Sequence, residues 1–183
     1  MLKNIIRKFD PEPDAISLLK EDHRKVEALF AEFDATDDKR MKGSIARKIC
    51  DELDVHAKIE EKLFYPAAKR DKAEEVQDAV NEGFVEHEGI KRLIKEIQGM
   101  TPGEEFFETR LKVLKEYVRH HIKEEEHSMF PKVIESEIDL KALGQKLAQL
   151  KEKLQAESEP KPARRAPRAK PAAKTRRRVA EPA

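Results

Sequence analysis

The chain has 183 residues, 41% of them charged and 5% aromatic, with no Trp; that length suits one domain and a tail, and that composition favours solvated helices over strands, which draw on β-branched and aromatic residues. The formal net charge of +1 hides an asymmetry: residues 157–183 hold nine Lys/Arg against three Asp/Glu (+6), which leaves 29 against 34 (−5) for residues 1–156. No apolar run approaches the roughly 18 residues needed to cross a bilayer, and the single Cys50 cannot form an internal disulfide, so a membrane span and a disulfide scaffold are excluded and a reducing, cytoplasmic setting is expected.

Residues 1–13 carry too short an apolar stretch for a secretory signal and read as a short amphipathic segment lying on the domain. From there, apolar residues alternate at three and four positions, the seam of helices packed in a bundle. Helix A presents Ile16, Leu19, His23, Val26, Phe30 and Phe33, and helix B presents Ile45, Ile49, Leu53, His56, Glu60, Leu63 and Ala67. Helix C presents Val76, Val80, Phe84, His87, Ile90, Ile94 and Ile97; helix D presents Phe107, Leu111, Leu114, Val118, His121, Glu125 and Met129. Asp37 is placed to cap helix B, Asp71 with Glu74 forms a capping-box pattern, and Thr101-Pro102-Gly103-Glu104 is a capping box with Pro at the first helical position. Gly99 closes helix C, and Pro66 and Pro131 fall near the ends of B and D, where a missing amide hydrogen costs least. Short connections make neighbours antiparallel, so the expected fold is all-α: an up-down-up-down four-helix bundle over residues 14–135.

A fifth helix is expected at 139–156, with Leu140, Leu143, Leu147, Leu150 and Leu154 in heptad spacing. Two readings stand there: an added helix that covers the bundle, or a seam for a dimer. Residues 157–183, rich in Pro, Ala, Lys and Arg, cannot form a core and are expected to be a disordered basic tail. Counterion release would give that tail weak, salt-dependent, sequence-blind affinity for nucleic acid or another polyanion. It holds no aromatic to stack on bases.

One string occurs twice. His56-Ala-Lys-Ile-Glu60-Glu61-Lys-Leu-Phe-Tyr-Pro66 returns as His121-Ile-Lys-Glu-Glu125-Glu126-His-Ser-Met-Phe-Pro131, and each copy is preceded by an acid-His pair, Asp22-His23 or Glu86-His87. A lone H-x-x-x-E says little in so acidic a chain, since His23 has Glu27 and His120 has Glu124 at the same spacing. The seam positions say more. His23, His56, Glu60, His87, His121 and Glu125 all fall on inward faces, and each would cost on the order of a few kcal/mol if buried unpaired. Two neighbouring carboxylates in a low dielectric also repel. A pair of cations resolves both problems; a metal-free His–Glu hydrogen-bond network is the competing structural reading. Residues four apart lie about 40° apart around a helix and one turn apart along it, so His and Glu reach the same cation. Two such helices plus two single-His helices give each of two metals two His, with both glutamates free to bridge. Mixed nitrogen and oxygen ligation suits iron, with manganese and zinc as rivals. His120 and His127 lie off the seam and are expected in solvent, while Glu61 and Glu126 flank it and are placed to orient imidazoles. Phe30, Phe64, Phe84 and Phe130 lie near the ligand turns, as pocket walls or as core.

The ordered set D-H-x-x-[VI], H-x-x-x-E-E-x-x-x-[FY]-P, E-H-x-x-[IV] and H-x-x-x-E-E, across roughly residues 14–135, resembles the hemerythrin-like, or HHE cation-binding, family. The resemblance implies an antiparallel four-helix bundle around two non-haem iron ions, oxo- or hydroxo-bridged. Its ligands would be His23, His56, Glu60, His87, His121 and Glu125, with Glu60 and Glu125 as bridges. The chain departs from the oxygen-carrying hemerythrins in having Lys91 where they have a further histidine, and in placing its second bridging carboxylate within H-x-x-x-E. That argues against reversible oxygen transport and for a site that reacts with or senses O2, NO or H2O2. Two alternatives remain: an iron- or oxygen-responsive regulatory module working through the fifth helix or tail, and a small helical polyanion-binding protein.

Overall fold

The structure, a computed structural model, describes residues 14–70 and 73–158. The expectations for residues 1–13, for Asp71 as a cap and for a disordered tail beyond Ser158 lie outside the described residues. Among the described residues seven α-helices follow in chain order: α1 Ala15–Asp34, α2 Lys39–Ile59, α3 Tyr65–Ala68, α4 Glu74–Gln98, α5 Phe107–Glu124, α6 Phe130–Glu135 and α7 Leu140–Ser158. Between α2 and α3, and between α5 and α6, the backbone passes through single π-helical turns, π1 at Glu60–Phe64 and π2 at Glu125–Met129. With its π-turn, α2 runs on into α3 as one rod and α5 into α6, so α1, α2–α3, α4 and α5–α6 form the antiparallel four-helix bundle, and α7 is an additional helix. No strand occurs among the described residues.

The helix starts follow from side chains that accept otherwise unpaired amide hydrogens. Asp14 accepts from the Ser17 amide at 2.9 Å. Asp38, rather than the expected Asp37, accepts from the Met41 amide at 2.8 Å and caps α2. At residue 101 the capping box forms locally, with Thr101 N donating to Glu104 Oε1 at 3.0 Å. It closes a turn and not a helix: Phe106 takes a left-handed conformation at φ 69°, exposing its own ring while Phe107 enters the core, and α5 begins only at Phe107. Burying Phe107 decides the boundary, because a large aromatic in the core outweighs a cap hydrogen bond.

The π-turns show how the chain accommodates its prolines. Tyr65 N donates back five residues to Glu60 O, and Phe130 N to Glu125 O. Pro66 and Pro131 come next, and neither can donate to the turn behind it. The chain absorbs that missing donor in a widened turn, so the rods continue briefly past the prolines, to Ala68 and to Glu135, and the prolines lie near the rods' ends as expected. A π-turn also adds a residue to the seam. Beyond Glu60 the inward positions are therefore Phe64, Tyr65 and Ala68, while the expected Leu63 and Ala67 are only partly buried.

Along each bundle helix the order of buried residues is apolar, polar, apolar. One cluster gathers Val26–Phe33, Ile45–Leu53, Ile90–Ile97 and Phe107–Ile122; the other gathers Ala15–Leu19, Ile59–Ala68, Val76–Val80 and Met129–Val133. Between them lies a buried polar layer of Asp22, His23, His56, Glu60, His87, His121 and Glu125. The α7 helix packs against α1, α2 and π1. Its Leu143 and Leu147 are buried, and Leu140, Leu150 and Leu154 pack on the same cluster. The heptad leucines thus face the chain's own bundle, where burying each fully contributes about 1.5–3 kcal/mol. The seam read as available to a second copy is occupied within the chain.

Candidate metal centre

All six seam residues converge on one layer. Each of the four imidazoles is at most 7% exposed, Glu60 is fully buried and Glu125 nearly so. His23 Nε2 lies 3.2 Å from His56 Nε2, and His87 Nε2 lies 3.1 Å from His121 Nε2. Glu60 Oε2 is 3.2 Å from His56 Nε2 and 3.3 Å from His87 Nε2, so it faces both histidine pairs. Glu125 Oε2 is 3.2 Å from His23 Nε2 and 3.6 Å from His121 Nε2. Ligand atoms of His23, His56, Glu60 and Glu125 all lie within 4.8 Å of one another, as do those of Glu60, His87 and His121.

The far side of every imidazole explains what the near side can do. His23 Nδ1 donates to Glu126 at 2.8 Å, His87 Nδ1 to Glu61 at 2.9 Å and His121 Nδ1 to Glu86 at 2.7 Å. His56 Nδ1 faces Asp22 Oδ2 at 3.5 Å. An acceptor at Nδ1 fixes the hydrogen there and leaves a bare lone pair on Nε2. Four lone pairs and two carboxylates therefore face one another in the centre, with one donor near them, the Tyr65 hydroxyl. Both oxygens of Glu60, Oε2 of Glu125, Asp22 Oδ2 and His56 Nδ1 are buried without a hydrogen-bond partner. Acceptors crowded this closely, with few hydrogens among them, are what a cation satisfies.

Three of the outer carboxylates are held in turn by cations, and the fourth has a further histidine beside it. Arg24 grips Glu126 through two bonds of 2.8 Å, Lys91 pairs with Glu61, Lys151 of α7 pairs with Asp22, and His120 lies 3.2 Å from Glu86. Lys91, which replaces a histidine of the oxygen carriers, thus faces outward from the layer and steadies the acid behind His87. Sequence reasoning anticipated Glu61 and Glu126 in this role but missed Asp22 and Glu86. Their signal was the acid directly before His23 and His87 in both halves. His127 is exposed and bonds the Lys123 carbonyl of its own helix at 3.0 Å.

Electrostatics agree with a strongly coupled layer. Burial, reinforced by the nearby Glu125 charge, pushes Glu60 well above the usual carboxylate range. Burial also acts on Glu125, but His121, His23 and His56 outweigh it and hold its carboxyl below that range. Burial, with His121 beside it, depresses His87 to about 2. Glu126 is held down at about 2 by its bond to Arg24, against a smaller opposing effect of burial.

Tyr65 is a further residue that sequence reasoning missed. Fully buried, it donates its hydroxyl hydrogen to Glu125 Oε1 at 3.0 Å and stacks on His87 with ring centroids 5.4 Å apart. Phe130, its counterpart in the repeat, stacks on His23 at 5.9 Å. Of the other aromatics read as walls, Phe64 packs edge-on to Phe130, Phe84 packs on Tyr65, and Phe30 belongs to the opposite apolar cluster.

The family profile described as "Hemerythrin HHE cation binding domain" matches residues 14–133. The crystal structure of a hemerythrin HHE cation binding domain-containing protein from Mycobacterium kansasii superposes with a TM-score of 0.67 at 23% identity, covering 79% of this chain and 89% of that one. That likeness speaks to fold alone. A DNA nickase from Nostoc sp. is 28% identical over 113 residues, which is 62% of this chain but only 31% of the nickase.

Proposed function

The chain belongs to the hemerythrin HHE cation-binding domain family, and on that premise we propose that it is a non-haem di-iron protein whose centre binds, and reacts with or senses, a small molecule such as O2, NO or H2O2. The ligands would be His23, His56, Glu60, His87, His121 and Glu125, with the two glutamates shared between the metals. The observation that carries this reading is the set of acceptors: three Nδ1 atoms are hydrogen-bonded to carboxylates and the fourth, on His56, faces Asp22 at 3.5 Å, so the Nε2 lone pairs are turned to the centre. Iron, held by imidazole and carboxylate, would supply redox chemistry and affinity for the small molecule. Asp22, Glu61, Glu86 and Glu126 would fix the imidazole rings and raise their basicity. The two apolar clusters would exclude water on either side, and Tyr65 would hold a proton at its hydroxyl next to Glu125.

Anaerobic purification tests the reading. About two irons per chain, with charge-transfer absorption developing on exposure to air, is the expected result. Loss of that iron in His56→Ala and in Glu125→Ala, but not in His127→Ala, is expected as well. Wild-type protein without stoichiometric iron, whose stability is indifferent to chelators, would sink it.

One contact favours a second, regulatory reading. Lys151 sits on α7, outside the residues that match the family, yet pairs with the acid behind His56. A partner engaging α7 or the basic segment after it would act on that pair. Duplex DNA or another polyanion is the partner class such a segment fits. Only a part of the Nostoc nickase matches this chain, and nicking is not proposed for it.

A further inference from the structure

The repeat makes the two halves of the bundle comparable residue by residue, with an offset of 64 between α1 and α4 and of 65 between α2 and α5. The first half is sealed. Leu18, Leu19, Val55 and Ile59 are each at most 5% exposed, and α7 packs over α1, α2 and π1. In the second half the same four positions are Glu82, Gly83, His120 and Glu124. Glu82 and Glu86 lie one turn apart on α4, His120 faces them from α5, and their ligand atoms lie within 4.8 Å of one another. A narrow cavity of about 20 Å³ runs beneath, lined by Glu82, Gly83, Glu86 and Glu124 and reaching Glu125. Glu125, which lines its buried end, also has an oxygen, Oε2, without a hydrogen-bond partner. Gly83 keeps this path from being filled: a Cβ there would already stand 2.6 Å from the Tyr65 hydroxyl oxygen, where the other half has Leu19.

We propose that Glu82, Glu86 and His120 form an outer cation site through which divalent iron enters, passing Gly83 to Glu125. An acidic mouth raises the local concentration of a cation and repels anions. Glutamate oxygens with one imidazole hold divalent iron without thiolates, weakly enough at an exposed position to release it inward. Glu86 links the two sites, since its Oε1 faces His120 and its Oε2 accepts from His121 Nδ1. The proposal rests on the reading of the buried layer as a metal centre.

The test uses full-length, chelator-stripped protein and cobalt(II), followed by its absorption and by metal counting. Wild-type chain should take up two tight equivalents and a weaker third. The variant Glu82→Gln, altered only at an exposed side chain, should end with the same two tight equivalents, lose the third, and load about tenfold more slowly. Glu88→Gln/Glu116→Gln, which removes exposed acids elsewhere on the same two helices, should load at the wild-type rate. Unchanged loading in the first variant overturns the proposal, as does equal slowing in the second. A first variant that ends short of two equivalents would make the trio part of the centre and overturn its role as an entrance. Failure of the wild-type centre to take metal would instead sink the di-iron reading, and a third equivalent can still be read on its own.

Discussion

Arg24 shows how far the centre extends beyond its ligands. Its guanidinium binds Glu126 through both oxygens, and Glu126 holds His23. Glu126 titrates at about 2 in the folded chain against an ordinary 4.5, so between those values the native state binds fewer protons than the unfolded one. The contact therefore contributes stability that is fully present above about pH 4.5 and fades as pH falls toward 2. Arg24 is half exposed, which limits the contribution to the order of 1 kcal/mol after solvent screening. Urea unfolding of metal-free wild type and Arg24→Met should differ by about that amount at pH 7, and the gap should close on acidification. A gap that persisted unchanged at the lowest pH would refute the linkage. At this scale the sequence was legible where a residue repeats. The four histidines and two glutamates stand out because each occurs at a matching place in both halves. Asp22 and Glu86 also repeat, but an acid beside a histidine has no unique meaning in a chain that is 41% charged. Tyr65 does not repeat, since Phe130 fills its place, and no periodicity marks a hydroxyl in the core.

Among elements, the bundle helices were legible because burial of an apolar stripe dictates their period. The π-turns were not. They follow from a proline set six residues after a ligand glutamate, and the spacing alone does not distinguish a helix end from a widened turn. The amphipathic pattern of α7 was equally plain, but its direction was not: leucines at heptad spacing fit a second chain as well as the chain's own core. Two substitutions separate what α7 contributes by packing from what it contributes by charge. Leu147→Ala removes a fully buried side chain and should cost about 2–5 kcal/mol, with or without metal. Lys151→Met keeps the apolar stem and removes the cation from Asp22, which is 6% exposed; a charged hydrogen-bond partner lost there should cost about 1–3 kcal/mol. Because Asp22 faces His56, only the second variant should also weaken metal affinity out of proportion to its effect on stability. If both variants shift metal affinity equally per unit of stability lost, α7 is a cover and has no route to the centre.

At the scale of the whole molecule, the charges divide between an acidic body and a basic end. The last 27 residues carry +6 and the rest −5, and α7 ends at Ser158, seven residues after Lys151. Duplex DNA should bind the full chain weakly, with log affinity falling linearly in log salt, and should not bind a chain ending at Ser158, whose net charge repels it. Equal binding by the shortened chain would place the contact on the helical body and contradict the charge argument. The more exacting outcome concerns coupling. If polyanion capture disturbs the Lys151–Asp22 pair, it must change metal affinity, and by linkage metal must change DNA affinity by the same factor. Metal-loaded and metal-free full chains should then differ in DNA affinity at fixed salt, and Lys151→Met should abolish that difference while leaving the salt dependence intact. A loaded and an empty chain with identical DNA affinity would make the basic end an independent tether, and the centre would have to signal, if it signals, through another face of the bundle.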